Sequence, residues 1–123
     1  MANQLSATGA IQYLQNGVVQ ESFGVAQRLI SITGNGSVGN DGYSVANSDT
    51  ALPVGGIANL RCLFAINLDP TNNIIIKDAV GGHTLATLLP GDWCFIPLPS
   101  TCTAPSTISS AGTPLMFYRV FPI

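Results

Sequence analysis

The side chains that could take part in catalysis are few and lie far apart in the sequence. His83 is the sole histidine, and Asp78 is its nearest acid. A nucleophilic or general-base site would need such groups brought together in space around a reacting atom. The six acids lie mostly in or beside turn sequences, where Asp ordinarily hydrogen-bonds its own backbone. We therefore predict that the chain is not an enzyme; His83, Asp78 and Asp92 are the weak candidates for catalysis.

Motifs for cofactors and metals are incomplete. Gly34, Gly36 and Gly39 match G-x-G-x-x-G after a predicted strand, but another turn sequence follows them. Pyrophosphate binding requires a helix that begins at the third glycine, so we interpret the segment as a glycine loop. A zinc site needs about four Cys, His or carboxylate ligands at short spacings. One histidine and three separated cysteines do not supply them. We predict no cofactor and no metal.

The three cysteines, Cys62, Cys94 and Cys102, are odd in number and form no C-x-x-C pair. A disulfide framework is therefore not expected. Cys62 and Cys94 lie in apolar segments and are predicted to be small buried hydrophobic residues, whereas Cys102 lies between threonines and is predicted to be exposed. The first residues have no basic stretch and no apolar run, so we expect no secretory signal and a reducing compartment.

Aromatic residues suggest a second class of function. Trp93, Tyr13, Tyr43 and Phe64 could line a platform for a sugar, because aromatic rings stack on the apolar faces of sugars. Trp93 and Phe95, however, share one face of a predicted strand, as cross-strand packing in a core requires. The core interpretation is our prediction. A carbohydrate-binding module is the alternative, and it would need Trp93 or Tyr43 exposed on a flat surface.

The composition favours a protein that buries its surface in an assembly. Apolar residues make up 46% of the 123 residues, and charged residues make up 8%, against roughly a quarter in average proteins. This composition argues against disorder, and the net charge of −2 argues against nucleic-acid partners. The apolar runs are far shorter than the ~20 residues of a membrane-spanning helix. A surface poor in charge is typical of protein–protein interfaces.

Nearly all of the chain has the pattern of strands and turns. Asn16-Gly17 between two apolar segments predicts a β-hairpin, and Pro90-Gly91 predicts a type II turn. Residues 60–68 are apolar on both faces and predict a central strand. Residues 34–49 are expected to be a loop or a weak edge strand, and residues 99–113 a loop. The other strands are predicted over residues 28–33, 50–54, 73–77, 84–89, 92–98 and 115–121.

This pattern predicts an all-β fold: a single domain over residues 1–123, in the form of a two-sheet β-sandwich or jelly roll with about eight or nine short strands. The centre is expected to consist of residues 60–68, 73–77, 92–96 and 115–121. Residues 1–8 are expected to be a flexible N-terminal arm. Leu5 is the large apolar residue of this arm, and the chain ends on Phe121, Pro122 and Ile123. We predict these four residues to be an assembly interface, because chain ends are usually polar and frayed unless something holds them.

Residues 60–121 resemble a known family. An apolar strand, the turn N-L-D-P-T-N at residues 67–72 and a second apolar strand are followed by L-P-G-D at residues 89–92 and a closing strand at residues 114–120. This order resembles the small β-sandwich virion proteins of tailed bacteriophages. The matching residues are structural, with Asn67, Asp69 and Thr71 expected to bond the turn backbone, so the resemblance implies no catalytic residue.

The resemblance implies a bacteriophage structural protein of the virion, assembled in the host cytoplasm. We expect a capsid decoration or cement protein that acts as a homo-oligomer, with a trimer as the expected state, on the major capsid protein. A tail, collar or head-fibre component is the alternative within this class. Neither nucleic acid nor membrane is an expected partner.

Overall fold

Ten antiparallel strands make up the secondary structure of this computed structural model, which describes residues 3–32, 38–57 and 59–122. No helix occurs in these ranges, and so none that could span a membrane. The all-β, sandwich-like class is therefore confirmed, with more strands than the eight or nine expected. The chain divides into two compact units, Met1–Thr33 and Gly34–Ile123. The sequence patterns, which predict one domain, do not separate them.

The first unit is a long β-hairpin. Strands β1 (Asn3–Gln15) and β2 (Val18–Ile32) pair antiparallel along their length. Between them Asn16 and Gly17 have φ angles of 51° and 78°, as the two central positions of a type I′ turn require. The predicted hairpin is confirmed. The strand predicted over 28–33 is a continuation of β2, and the arm predicted over 1–8 belongs to β1 from Asn3 onward.

The second unit contains two four-stranded sheets. The first sheet has the order β3-β10-β5-β8, and the second has the order β4-β9-β6-β7. The strands of the first sheet are β3 (Val38–Ser44), β10 (Leu115–Pro122), β5 (Leu60–Asn67) and β8 (Trp93–Pro97). Those of the second sheet are β4 (Thr50–Ala51), β9 (Ser106–Ser109), β6 (Ile74–Lys77) and β7 (Thr84–Leu88).

One side of each sheet contributes to a shared hydrophobic core. Alternate residues along a strand point to opposite faces, so Leu63 and Ala65 of β5 are buried in the core together with Ile74 and Ile76 of β6. Each fully buried aliphatic side chain contributes about 1.5–3 kcal/mol of transfer free energy. Other residues of this core are Val45, Leu52, Leu60, Leu88, Leu98, Cys102, Met116, Tyr118 and Val120.

The predicted central position is correct for β5 and β10 of the first sheet and wrong for β8. β5 and β10 are interior strands, as expected, whereas β8 is an edge strand. The segment 34–49 contains β3, which agrees with the weak-edge-strand alternative. The loop predicted over 99–113 contains β9. This strand was missed because its buried residues, Ser106, Thr107 and Ser109, are polar, so the segment lacks the alternating apolar residues that indicate a strand. Its pairing with β4 on one side and β6 on the other forms the strand.

Candidate interaction surface

Five aromatic side chains lie together on the outer side of the first sheet, the side opposite the core. Strand alternation places them there. Cys94 of β8 and Met116 and Tyr118 of β10 face the core, so the odd-numbered residues of these two strands point outward. In β5 the core residues are Leu63 and Ala65, so Phe64 points outward. The five residues, which we call the aromatic face, are Phe64, Trp93, Phe95, Phe117 and Phe121. Four of the five phenylalanines of the chain and its one tryptophan are therefore on a single surface.

Strand register orders these residues into rows across β10, β5 and β8. In the first row Phe117 lies opposite Ile66, which lies opposite Trp93. In the second row Arg119 lies opposite Phe64, which lies opposite Phe95. Side chains directly opposite or diagonal on neighbouring strands are close enough to contact each other. The rows therefore form a continuous apolar and aromatic surface three strands wide.

Phe64 is the centre of this surface. Its ring centroid lies 6.0 Å from that of Phe117, in an edge-to-face arrangement, and 6.1 Å from that of Trp93. These separations are typical of favourable aromatic pairs. Phe64 and Phe117 are half-buried, while Trp93, on the edge strand, is 66% exposed. A large, mostly exposed indole therefore lies beside a cluster of packed rings.

One cation lies on the aromatic face, and its charge is compensated. The guanidinium carbon of Arg119 lies 4.5 Å from the ring centroid of Phe117, within the range of a cation–π interaction. The same guanidinium donates to the carboxylate of Asp41 on β3 and, at 2.8 Å, to the carbonyl of Tyr118. The surface is therefore apolar and nearly neutral at this point, unlike the basic patches that bind nucleic acid.

Cys62 lies on the outer side of the first sheet, next to the aromatic face. It is opposite Phe121 and Pro97 in the register and is 1% exposed, although it is not among the core residues between the sheets. Burial raises the pKa of the Cys62 and Cys94 thiols to about 11, so both are protonated near neutral pH. The predicted burial of Cys62 is confirmed, and Cys94 is half-buried against the core.

The outer side of the second sheet differs in kind. Ile75 of β6 lies there between Thr87 of β7 and Ile108 of β9. The four strands of this sheet contain no aromatic residue. Aromatic side chains are enriched in protein interfaces, so the asymmetry between the two outer faces identifies the first sheet as the surface suited to binding.

The weak catalytic candidates lie in turns. The Asp78 carboxylate accepts the backbone amide of His83 at 2.7 Å and lies 3.4 Å from its imidazole Nδ1. Asp92 accepts the Leu89 amide at 3.0 Å within the Pro90-Gly91 turn. These bonds are the turn-forming contacts expected of Asp. Among the residues that the structure describes, no three His, Cys, Asp or Glu side chains form a group that could hold a metal ion.

Cys102 corrects the sequence prediction. Cys102 was predicted to be exposed but is buried, with 5% of its surface accessible. It packs into the core, and its thiol donates to the Asp78 carbonyl at 3.1 Å. Burial, followed by the charge of Asp78, raises the pKa of this thiol. A protonated, buried thiol has little nucleophilic reactivity.

The residues predicted to form an assembly interface lie in β1, in β10 or outside the described residues. Phe121 and Pro122 are half-buried at the end of β10, and Phe121 belongs to the aromatic face. Leu5 lies in β1 opposite Ile30, and its side chain is outside the described part of the structure, as are Ile123 and the side chain of Tyr13. The prediction of an interface formed by Leu5, Phe121, Pro122 and Ile123 stays a prediction.

The other aromatic residues considered for a sugar platform lie on different sides of the first sheet. Tyr43 is half-buried and packs edge-to-face on Tyr118, with ring centroids 5.6 Å apart. Trp93 and Phe95 share one face of β8, as predicted, but this face points away from the core, so the core prediction for them is wrong. The sequence signal for an exposed aromatic surface was that residues 60–68 are apolar on both faces. This pattern was interpreted as a strand buried on both faces, although a two-sheet sandwich covers only one face of each sheet.

Comparisons with protein-family models, with curated proteins and with solved structures gave no match to this chain. The aromatic face is therefore interpreted on its geometry alone.

Proposed function

We propose that this chain is a non-enzymatic structural protein of a bacteriophage virion, a capsid decoration or cement protein that works as a homo-oligomer. The observation that carries the proposal is the aromatic face. A sheet that holds Phe64, Trp93 and Phe117 on its outer side has the composition of the centre of a protein interface. We assign this face to contact with the capsid surface, formed by the major capsid protein.

The charge content supports the same proposal. Lys, Glu and Asp are costly to desolvate, and the chain has few of them. The charged pair nearest the aromatic face, Arg119 with Asp41, is already satisfied within the chain. Docking of this face therefore needs no new partner for an unpaired charge.

The test is binding to capsids that lack the protein. We expect the native chain to bind such capsids and to raise their melting temperature, since a ligand of the assembled state stabilises it by mass action. Trp93→Ala is expected to weaken binding by about tenfold or more, as for a large aromatic residue that becomes buried in an interface. Val80→Ala, at a 57% exposed apolar residue after β6 of the second sheet, is the control and should bind like the native chain.

The proposal is overturned if the native chain binds neither empty capsids nor the separate major capsid protein. Binding to tail or fibre assemblies instead would favour the alternative location within the virion, a tail, collar or head-fibre component. Equal binding by the Trp93 and Val80 variants would overturn the assignment of the aromatic face.

A carbohydrate-binding module is a second candidate, favoured by the exposure of Trp93. The indole is 66% exposed on the outer side of the first sheet, and stacking on a sugar requires an accessible ring. A sugar also needs hydrogen-bonding groups beside the ring. The other residues in the row of Trp93, Ile66 and Phe117, are apolar and do not supply them.

The two candidates differ at Phe117. β8 and β10 are separated by β5, so the two rings are about 10 Å apart at strand spacing, farther than one sugar ring reaches. Loss of a glycan signal on an array in Trp93→Ala, but not in Phe117→Ala, would support sugar binding. Weaker capsid binding in both variants would support the protein interface.

A further inference from the structure

The open edge of β1 has an unusual set of properties. Within the described part of the chain, β1 pairs with β2 alone, so its other edge presents unpaired backbone amides and carbonyls. Natural sheets protect such edges with charged residues, prolines or β-bulges. Residues Asn3–Gln15 contain no charged residue and no proline. The edge lacks two of the three usual protections.

The third protection, a β-bulge, occurs only in β2 of this hairpin. Between Ala7 and Gly9 the register advances two residues on β1 and three on β2, from Arg28 to Val25. Between Tyr13 and Leu14 it advances one residue on β1 and two on β2. Both bulges therefore insert their extra residue into β2, which explains why β2 has 15 residues and β1 has 13. β1 remains the regular strand.

The charges of the hairpin follow the same division. Glu21 and Arg28 are the charged residues of the segment 3–32, and both are in β2. One strand of the hairpin thus carries every edge-protecting feature, and the other carries none. Such an asymmetry is what a strand that receives a partner on one edge requires.

The described side chains of the hairpin between residues 9 and 24 supply no burial that would stabilise it. Every side chain described between Gly9 and Gly24 is exposed, including Ile11 and Leu14 of β1 and Val18 and Val19 of β2. A two-stranded hairpin is marginally stable by itself in water, and three or more strands are usually needed. An additional strand paired with the hairpin would supply the stabilisation that two strands lack.

We infer that the open edge of β1 pairs antiparallel with β1 of a second copy of this chain, around a two-fold axis, to form a four-stranded sheet β2-β1-β1-β2. A second copy fits because the uncharged edge meets an identical uncharged edge without repulsion, and a two-fold interface uses the same surface on both subunits. The inference rests on the self-association in the proposed function and not on capsid binding.

The first test is the mass of the full chain in solution, measured by sedimentation equilibrium. We expect a dimer or an even multiple of it, in place of the trimer that the resemblance to virion proteins implies. Gln12→Lys places a charge on β1 and should weaken association by about tenfold or more, because a charged side chain on an edge strand opposes pairing with another edge. Gln20→Lys is the matched control, since it makes the same change at an exposed residue in a bulge of β2, and it should leave the mass unchanged.

The second test reads the edge directly and needs no variant. In the native chain, amide hydrogen exchange should be slow at successive residues of β1, because both edges of that strand are paired. In β2 it should alternate between slow and fast. A monomer at millimolar concentration, a trimer, equal effects of the two lysine variants or an alternating pattern in β1 would overturn the inference. A dimer that ignores capsids would overturn the proposed function instead.

Discussion

At the scale of single residues, Gly39 shows why one glycine of the G-x-G-x-x-G sequence is needed. Gly39 lies in β3 opposite Arg119 of β10. A Cβ atom at this position would lie 1.9 Å from the carbonyl oxygen of Tyr118. The glycine permits close approach of two strands and does not open a phosphate-binding helix. Gly34 and Gly36 lie outside the described residues.

Gly39→Ala should destabilise the second unit. The added methyl group forces β3 and β10 apart, which we expect to cost about 1–3 kcal/mol of the free energy of unfolding, as overpacking commonly does. Gly42→Ala, in the same strand with no atom within 4 Å of its ideal Cβ, is the control. Urea denaturation of both variants measures the difference, and equal midpoints would contradict the account of Gly39.

Asn67 is the buried polar residue that joins β5 to the turn after it. Its amide nitrogen donates to the carbonyls of Asn72 at 2.8 Å and Leu88 at 3.0 Å, and its side-chain oxygen accepts the amide of Asp69 at 2.9 Å. Asp69 in turn accepts the amides of Thr71 and Asn72. The predicted use of Asn67 and Asp69 side chains to bond this turn is confirmed. The prediction for Thr71 is wrong, because its hydroxyl donates to the Asp69 carboxylate and not to the backbone.

Asn67→Ala should therefore lower the free energy of unfolding by about 2–4 kcal/mol, because it leaves buried backbone groups without partners. Asn73→Ala is the comparison, since the backbone amide of Asn73 donates to Ser110 and this bond survives truncation of the side chain. Thermal unfolding of the two variants is the measurement. A loss in Asn67→Ala no greater than in Asn73→Ala would show that the network is dispensable.

Asp49 makes stability depend on acid pH. The Ser106 hydroxyl, the Gly81 amide and the Lys77 ammonium lower the pKa of its carboxyl from 3.8 to about 2; the Lys77 Nζ lies 3.0 Å from it. The pKa is lower in the folded chain, so the unfolded chain takes up the proton first. The stabilisation is complete above the unfolded pKa and is lost as the pH falls from about 4 toward 2.

Asp49→Asn should be less stable than the native chain at neutral pH, and its melting temperature should fall less between pH 4 and pH 2. Melting curves at a series of pH values check both parts. Parallel curves for the native chain and the variant across this range would contradict the role of Asp49.

At the scale of elements, the local turn chemistry could be predicted and the partners of strands could not. Asn-Gly and Pro-Gly require positive φ at defined positions, and Gly91 has a φ of 82° with the Asp92 amide bonded to the Leu89 carbonyl. Both turns were predicted correctly. β9 and the edge position of β8 depend on pairing between distant segments, which no local pattern encodes.

The aromatic face escaped prediction for a related reason. Phe64, Phe95 and Phe117 each lie in an apolar strand, and the outward direction of a side chain follows from which alternate set of residues meets the core. That assignment requires both sheets. The available signal was that three strands are apolar on both faces in a chain with no predicted helix to cover them.

The two units lead to a prediction about truncation. The core residues that the structure describes lie between Val45 and Val120, so a chain consisting of residues 34–123 should fold. We expect it to give a β-type circular dichroism spectrum and a cooperative thermal transition. It should also lose self-association, because β1 is absent. A truncated chain without a cooperative transition would show that the hairpin is needed for the second unit to fold.

At the scale of the whole molecule, we propose a separate task for each of two surfaces. The aromatic face is proposed to contact the capsid surface, and the open edge of β1 is proposed to join copies of the chain. The low charge content suits both tasks, because neither surface must release tightly bound water from Lys or Glu side chains. The fold class could be predicted from composition and turn spacing, whereas the separation of the tasks required the sheet register.

Trp93 provides the most direct test of the central claim, because it is the one tryptophan of the chain and lies on the aromatic face. The measurement is its fluorescence emission and acrylamide quenching, free in solution and after addition of empty capsids. We expect emission of a largely solvated indole in the free chain, then a blue shift and weaker quenching on the capsid. Bound protein whose Trp93 emits and is quenched as in the free chain would contradict it.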